Sequence, residues 1–284
     1  MKKDLVVTDT TSTMNRDLAK QYGIELIPLS VLINGQEYKD QIDMTTEELY
    51  QKLAEGCVPT TSQPNTGYVQ EQMEKWQKEE YDAIVITTCS SDLSGTWSGF
   101  NLVKNTLNMD NVHIIDSRSV GAPIMDMAIY AKEMFDAGKT LEEVKAGIEI
   151  KKNNTFSFLH PENFTQLKKG GRLSPVAANM ASLLKIKALL YLKEDGSVVE
   201  KYAMARTETK IIKAVLDKFD DLKINAKDHC IYLSHANNEL IANKVKEFLQ
   251  RRFDNIDCVV LALPAVLTCH GGLGCIAIQP TYKL

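Results

Sequence analysis

The stretch AIVITTCSSDLSGTWSGF, residues 83–100, decides how the fold is read. Its first residues, Ala83 to Thr87, form a short apolar run rich in β-branched side chains, as in a strand buried on both faces. Hydroxyls then cluster at Thr87, Thr88, Ser90, Ser91 and Ser94, and the chain turns through Ser94-Gly95 into a helix. Strand, turn and helix in that order make the repeating unit of a parallel sheet. The pattern recurs on both sides. Leu5–Val7 leads into TDTTST and a helix candidate from Met14 to Tyr22, and Val112–Ile115 ends at Asp116-Ser117 ahead of a helix from about Pro123 to Asp136. Ligands of such sheets bind outside the carboxyl ends of the strands. TDTTS, TTCSSDLSG and IDSRS are therefore expected on one rim.

Between these units, Ile24–Ile33 (IELIPLSVLI) is strand-like, with Pro28 marking an edge or bend. Thr45 with Glu48, and Thr140 with Glu143, have the spacing of capping boxes that open helices. VPTTSQPNTG reads as a loop before a helix from about Tyr68 to Glu79. The second half has another rhythm: a strand at Phe156–Leu159, a helix over Glu162–Lys169 stopped by Gly170-Gly171, and Ser174-Pro175 opening a small-residue helix, VAANMASLL. Asp195-Gly196 joins Ala188–Leu192 to Val198–Met204 as a hairpin. Thr207 opens a helix to about Asp221, Cys230–Leu233 is a strand, and Asn237 caps a helix to about Arg251. Two buried strands around a loop are expected over Cys258–Ile278. The fold class is α/β: an N-terminal parallel-sheet α/β domain over 1–155 and a C-terminal mixed-sheet α/β domain over 156–284.

Composition narrows the function. A net charge of −4 and a pI near 5.8 give no basic footprint for nucleic acid. The charge-free stretch Cys258–Ile278 is interrupted by Pro264 and by His270 with its glycines, so it is not read as a membrane span. Six scattered cysteines, with no C-x-x-C pair and no secretory signal, point to reduced thiols in the cytoplasm. His113, His160, His229 and His235 lack metal-ligand spacing, and neither a P-loop nor a G-x-G-x-x-G turn is present.

The candidate functional residues each carry two readings. Ser94 at a helix start can offer its hydroxyl and neighbouring N–H groups to an anion, or simply cap the helix. Thr61 and Ser62 are ligand donors or members of a self-satisfied turn. Asp9 in TDTTST holds a cation or phosphate, or shapes a strand-end turn. Arg172, between a helix stop and the next N-cap, is held by short connections and suits a fixed role, or is an ordinary surface arginine. His270 in TCHGGLG stands beside glycines that let backbone approach a ligand closely, or is a structural histidine.

These segments, VVTDTTSTM, PTTSQPNTG, SSDLSGTWSGF, HIIDSRSV, LKKGGRLS, LLKIKALLYLKEDGSV, ART and CHGGLG, occur in the order found in the DegV family. The chain resembles that family, bacterial fatty-acid-binding proteins that serve a separate fatty acid kinase, over nearly its whole length. The resemblance implies a long-chain fatty acid in a buried tunnel with its carboxylate between the domains. Thr61 and Ser94 would be its carboxylate donors, with Ser62, Gly95 and Thr96 beside them. His270 and Arg172 would support them, and Arg206 would face the kinase. The kinase, similar to dihydroxyacetone kinases, would use ATP to make acyl phosphate for phospholipid synthesis. The chain itself would be a cytoplasmic carrier without catalysis, needing no cofactor and no metal, binding no nucleic acid and touching membrane surfaces only transiently. Its alternatives are a hydrolase or acyl transferase built on Ser94 and His270, or a carrier of another amphipathic acid.

The sequence departs from the family at two sites of interest. Thr268–Gly274 stands where the family commonly has G-T-H-T-G-P-G, so the loop's shape is expected to differ. Met125 and Met127 either reshape the pocket or pack in the core.

Overall fold

The computed structural model describes residues 3–162, 164–179 and 186–284. The first strand, β1 (Asp4–Asp9), runs into a 3-10 turn at Thr10–Ser12 and then α1 (Arg16–Tyr22). The IELIPLSVLI run divides at Pro28 into β2 (Glu25–Ile27) and β3 (Ser30–Ile33), which join different sheets. The break is where a proline without an N–H would interrupt a ladder. Next come β4 (Gln36–Lys39), α2 (Thr46–Ala54), β5 (Thr60–Ser62), α3 (Thr66–Lys78), β6 (Ala83–Thr88), α4 (Thr96–Leu107), β7 (Val112–Asp116), α5 (Ala122–Asp136) and α6 (Leu141–Asn153). β5 lies inside the segment read as a loop; it is short and pairs antiparallel with β3.

The second half contains β8 (Phe158–His160), α7 (Thr165–Gly170), α8 (Pro175–Asn179), β9 (Lys187–Leu192), β10 (Val199–Ala205) and α9 (Glu208–Asp221). It closes with β11 (His229–His235), α10 (Glu239–Arg252), β12 (Asp257–Ala262), α11 (Ala265–Gly271) and β13 (Ile276–Tyr282). The small-residue helix expected over VAANMASLL falls partly on 180–184, outside the described residues.

Three sheets result. β2-β1-β6-β7 is fully parallel, β4-β3-β5 is antiparallel, and β10-β9-β8-β13-β11-β12 is mixed. The fold is thus a parallel-sheet α/β unit followed by a mixed-sheet α/β unit, as the alternation of signals predicts. Three expectations need correction. The segment between the last two strands is not a loop but the helix α11, with His270 in its last turn. β12 is an edge strand with alternating exposure, not a buried one, because nothing pairs beyond it among the described residues. Asn237 takes φ +53 and does not cap α10; Asn238 is the N-cap, without a side-chain hydrogen bond.

Burial follows the layers. Leu5, Val7, Ile84 and Ile86 face α3 and α4, while the alternate residues Val6 and Val85 face α5 with Met125 and Met127. Met125 and Met127 are core residues between sheet and helix, not pocket residues. On its far side α5 meets the six-stranded sheet through Tyr232 and Leu261. That sheet's other face is covered by α9 and α10 around Phe158, Phe219 and Leu249. Polar links also lock the two halves. Lys151 on α6 is buried against Asp126 of α5 at 2.8 Å and donates to the Tyr282 carbonyl at 2.8 Å, and Tyr232 donates to Asp126 at 3.2 Å. Gln279 on β13 donates to the Val120 carbonyl and the Ser157 hydroxyl and accepts from the Ala122 N–H. No helix among the described residues is long and apolar enough to cross a membrane.

Candidate functional site

The carboxyl ends of β1, β6 and β7 share one rim, as parallel pairing requires. Facing it are β5, α7, α11 and the inner strands of the second sheet. Between them lies a cavity of about 440 Å³, within the usual range of ligand pockets. Its wall is chiefly apolar: Leu29, Leu93, Val120, Leu159, Val199 and Leu263 are examples. Thr61, Ser62, Ser94, Gly95, Arg172 and His270 also line it.

Thr61 Oγ1 lies 2.8 Å from His270 Nε2, joining β5 to α11 across 209 residues of sequence. Burial, aided by the Arg172 charge, pushes the His270 imidazole down to about 4, so the ring is neutral at pH 7. Ser94 Oγ lies 2.8 Å from Thr96 Oγ1 and accepts the Thr96 N–H at 3.3 Å. Its hydroxyl closes the turn into α4, and the residue lines the cavity. Gly95 is the N-cap of α4, and Thr96 is buried behind Ser94 outside the lining.

Arg172 donates from Nε to the Leu93 carbonyl at 3.1 Å and from Nη1 to the Gly170 carbonyl at 2.6 Å. The guanidinium thereby bridges the loop after β6 and the end of α7. Leu93, Ser94, Gly95 and Arg172 also line an open hollow with Ser91, Asp92, Gly171, Ser197 and Val198. The polar end of the cavity thus abuts the surface. Arg206 is elsewhere. It is exposed past the last residue of β10, whereas Arg172 bonds to Val199 at the first, about 20 Å away at strand rise.

Asp9 follows the strand-end reading. It is buried and accepts from the N–H groups of Thr11 and Cys89 and from the Thr11 hydroxyl, although burial raises its pKa. Ser94 and His270 form no dyad: the imidazole is bonded to Thr61 and the Ser94 hydroxyl to Thr96. Among the described residues, no cluster of three or more His, Cys, Asp and Glu side chains could hold a metal.

Sequence reasoning passed over Asp40, Gln63 and Gln279. Gln279 is an amide among the apolar residues that open a buried strand, which is a usable signal. Asp40 gives none, because its partner is remote. It is fully buried beneath the first turn of α11, where its Oδ2 accepts the Val266 N–H at 3.4 Å. Burial raises its carboxyl from 3.8 to about 7, the Val266 N–H opposing the shift. A raised folded pKa means that the native state keeps a proton which the unfolded chain releases. Its contribution to stability is whole below about pH 4, falls as pH rises toward 7 and is level above. The change is on the order of 4 kcal/mol. Asp40→Asn is expected to gain that much on the natural protein between pH 4 and pH 7.5 in urea unfolding. Parallel stability curves for the two proteins would contradict the assignment.

With this geometry in place, relatives add an independent comparison. The family model described as "Uncharacterised protein, DegV family" matches residues 3–283. The chain belongs to the DegV family. A relative from Thermotoga maritima named "Fatty acid-binding protein" is 30% identical over 277 residues, covering 95% of this DegV chain and 94% of the relative. A fatty-acid-binding DegV protein from Thermus thermophilus has a similar structure, with TM-score 0.90, 28% identity and coverage of 99% and 100% of the two chains. DegV from Bacillus subtilis, described as a fatty acid binding protein, gives TM-score 0.87 at 27% identity with both chains covered completely.

Proposed function

We propose that this DegV chain is a cytoplasmic carrier that binds a long-chain fatty acid and presents its carboxylate to a separate ATP-dependent kinase. The observation that carries the reading is a chiefly apolar cavity lined also by Thr61, Ser94, His270 and Arg172, of which Ser94 and Arg172 border an open surface hollow. Relatives named for fatty acid binding support the choice of ligand.

The energetics favour an acyl chain with an anionic head. Burial of each CH₂ contributes roughly 0.8 kcal/mol, so a sixteen-carbon chain grosses about 12 kcal/mol before ordering costs. A carboxylate leaving water needs hydrogen bonds and a compensating charge. The Thr61 and Ser94 hydroxyls supply the first, and Arg172 supplies the second. Neutral His270 orients the Thr61 hydroxyl without competing for the carboxylate as an ion. The kinase step follows from exposure of the head group: a carboxylate oxygen attacks the γ-phosphorus of ATP, ADP leaves, and acyl phosphate forms on the bound chain.

Hydroxylamine trapping tests this role. Fatty acyl hydroxamate is expected only when loaded protein, ATP and a kinase similar to dihydroxyacetone kinases are combined. A covalent acyl adduct on Ser94, or ester hydrolysis by the protein alone, would favour the hydrolase or acyl transferase instead. Transfer seen with a different amphipathic acid, and not with fatty acids, would reassign the ligand.

A further inference from the structure

Gln63 follows β5, two residues after Thr61; its side chain lies on the start of α4, and the residue borders the cavity beside Thr61 and Ser94. A Cβ added at Gly95 would fall 2.0 Å from Gln63 Oε1, and one at Gly99 would fall 3.3 Å from Gln63 Nε2. The two glycines are one helical turn apart, on the same face of α4. Neither requires glycine for its backbone: Gly95 has φ −69, and Gly99 lies within the helix with no positive φ. A glycine inside a helix costs about 1 kcal/mol relative to alanine. What both positions provide is room for one amide.

From this slot we infer that Gln63 is a positioning residue of the head-group site, a spacer that sets Thr61 opposite Ser94. Thr61 and Ser94 belong to separate elements, β5 and the turn into α4, and these two strands of chain are not paired in any sheet. Gln63 joins them. It leaves the chain one residue beyond Ser62 and ends against Gly95, the neighbour of Ser94. Thr61 is held from its other side by His270, so its hydroxyl is fixed by α11 and its distance to Ser94 by the Gln63 amide. The inference rests on the proposed carboxylate site, and its consequence is selective: the spacer matters to the head group and not to the acyl tail.

The test measures binding of a fatty acid and of its methyl ester to Gln63→Ala, with Gln63→Met as the variant that refills the slot at similar length. Gln63→Ala is expected to weaken acid binding about tenfold, the order of one misplaced hydrogen bond to a charged group, and to leave ester binding within about twofold. Gln63→Met is expected to restore most of the acid affinity. Equal losses for acid and ester, no loss for either, or failure of Gln63→Met to restore the acid would overturn the spacer role. A second readout needs no ligand. In a crystal structure of the empty Gln63→Ala protein, the separation of the Thr61 and Ser94 hydroxyls is expected to change while Thr61 stays bonded to His270. A separation equal to that of the natural protein would overturn the inference even if the protein binds no fatty acid, an outcome that would by itself sink only the carrier reading.

Discussion

Thr61→Val combined with Ser94→Ala is expected to weaken fatty acid binding by at least about 100-fold. Each hydroxyl would donate to a carboxylate, and a hydrogen bond to a charged group contributes about 1.5–3 kcal/mol. Two lost together amount to about 3–6 kcal/mol, and part of the loss is offset by water entering from the adjoining hollow. The fold should tolerate both changes. The Thr61 side chain is partly exposed and bonded to a neutral histidine, and the Ser94 hydroxyl makes only local turn bonds, to the hydroxyl and N–H of Thr96. Displacement of a fluorescent fatty acid measures the affinity, and thermal unfolding checks the fold. A double variant that binds within threefold of the natural protein would remove both hydroxyls from the head-group site.

The largest stability effect is expected at Lys151. Its ammonium is buried with Asp126 and satisfied by the Tyr282 carbonyl. Lys151→Met leaves the Asp126 carboxylate in the same enclosed place with only the Tyr232 hydroxyl as donor. Breaking one side of a buried pair costs about 3–5 kcal/mol, whereas replacing both partners by apolar groups is often close to neutral. Urea unfolding should therefore show a loss of about 3–5 kcal/mol for Lys151→Met and recovery of most of it in Lys151→Met/Asp126→Leu. A single variant that loses under 1 kcal/mol would mean that the pair is hydrated and does not hold α5, α6 and β13 together.

The layered fold was legible because its signals are local. Hydrophobic runs at strand length, helix caps at Thr45 and Thr140, and the hairpin glycine Gly196 each act within a few residues. Both capping boxes form as their spacing predicts. The errors came from tertiary decisions. β5 is three residues of hydroxyl-rich chain made into a strand by pairing with β3, too short for its two threonines to show a strand period. α11 is a seven-residue helix in a stretch punctuated by Pro264 and glycines, and its N–H groups reach Asp40 more than 220 residues earlier.

The site divides in the same way. Thr61, Ser94, Arg172 and His270 were candidates as hydroxyls at strand and helix ends, a pinned guanidinium and a glycine-flanked imidazole, and the family resemblance chose among their readings. The structure brings them to one cavity. Arg206, which the resemblance assigns to the kinase-facing surface and not to the cavity, is exposed beyond the far end of β10. Gln63 was hidden because its meaning depends on Gly95 and Gly99, two glycines with no backbone need to be glycine. Around His270, Gly272 and Gly274 match the family and take positive φ, and side chains there would meet Gln166 and Glu162. Gly271, which departs from the family, is packed so that a Cβ there would fall 2.9 Å from Cys275 Sγ.

The most direct measurement is denaturing extraction of the purified protein followed by mass spectrometry of what is released, alongside intact mass of the polypeptide. A near-stoichiometric long-chain fatty acid, with the polypeptide at its unmodified mass, is the expected result. Protein that releases no fatty acid and takes up none when it is added would contradict the carrier function while leaving the DegV fold untouched.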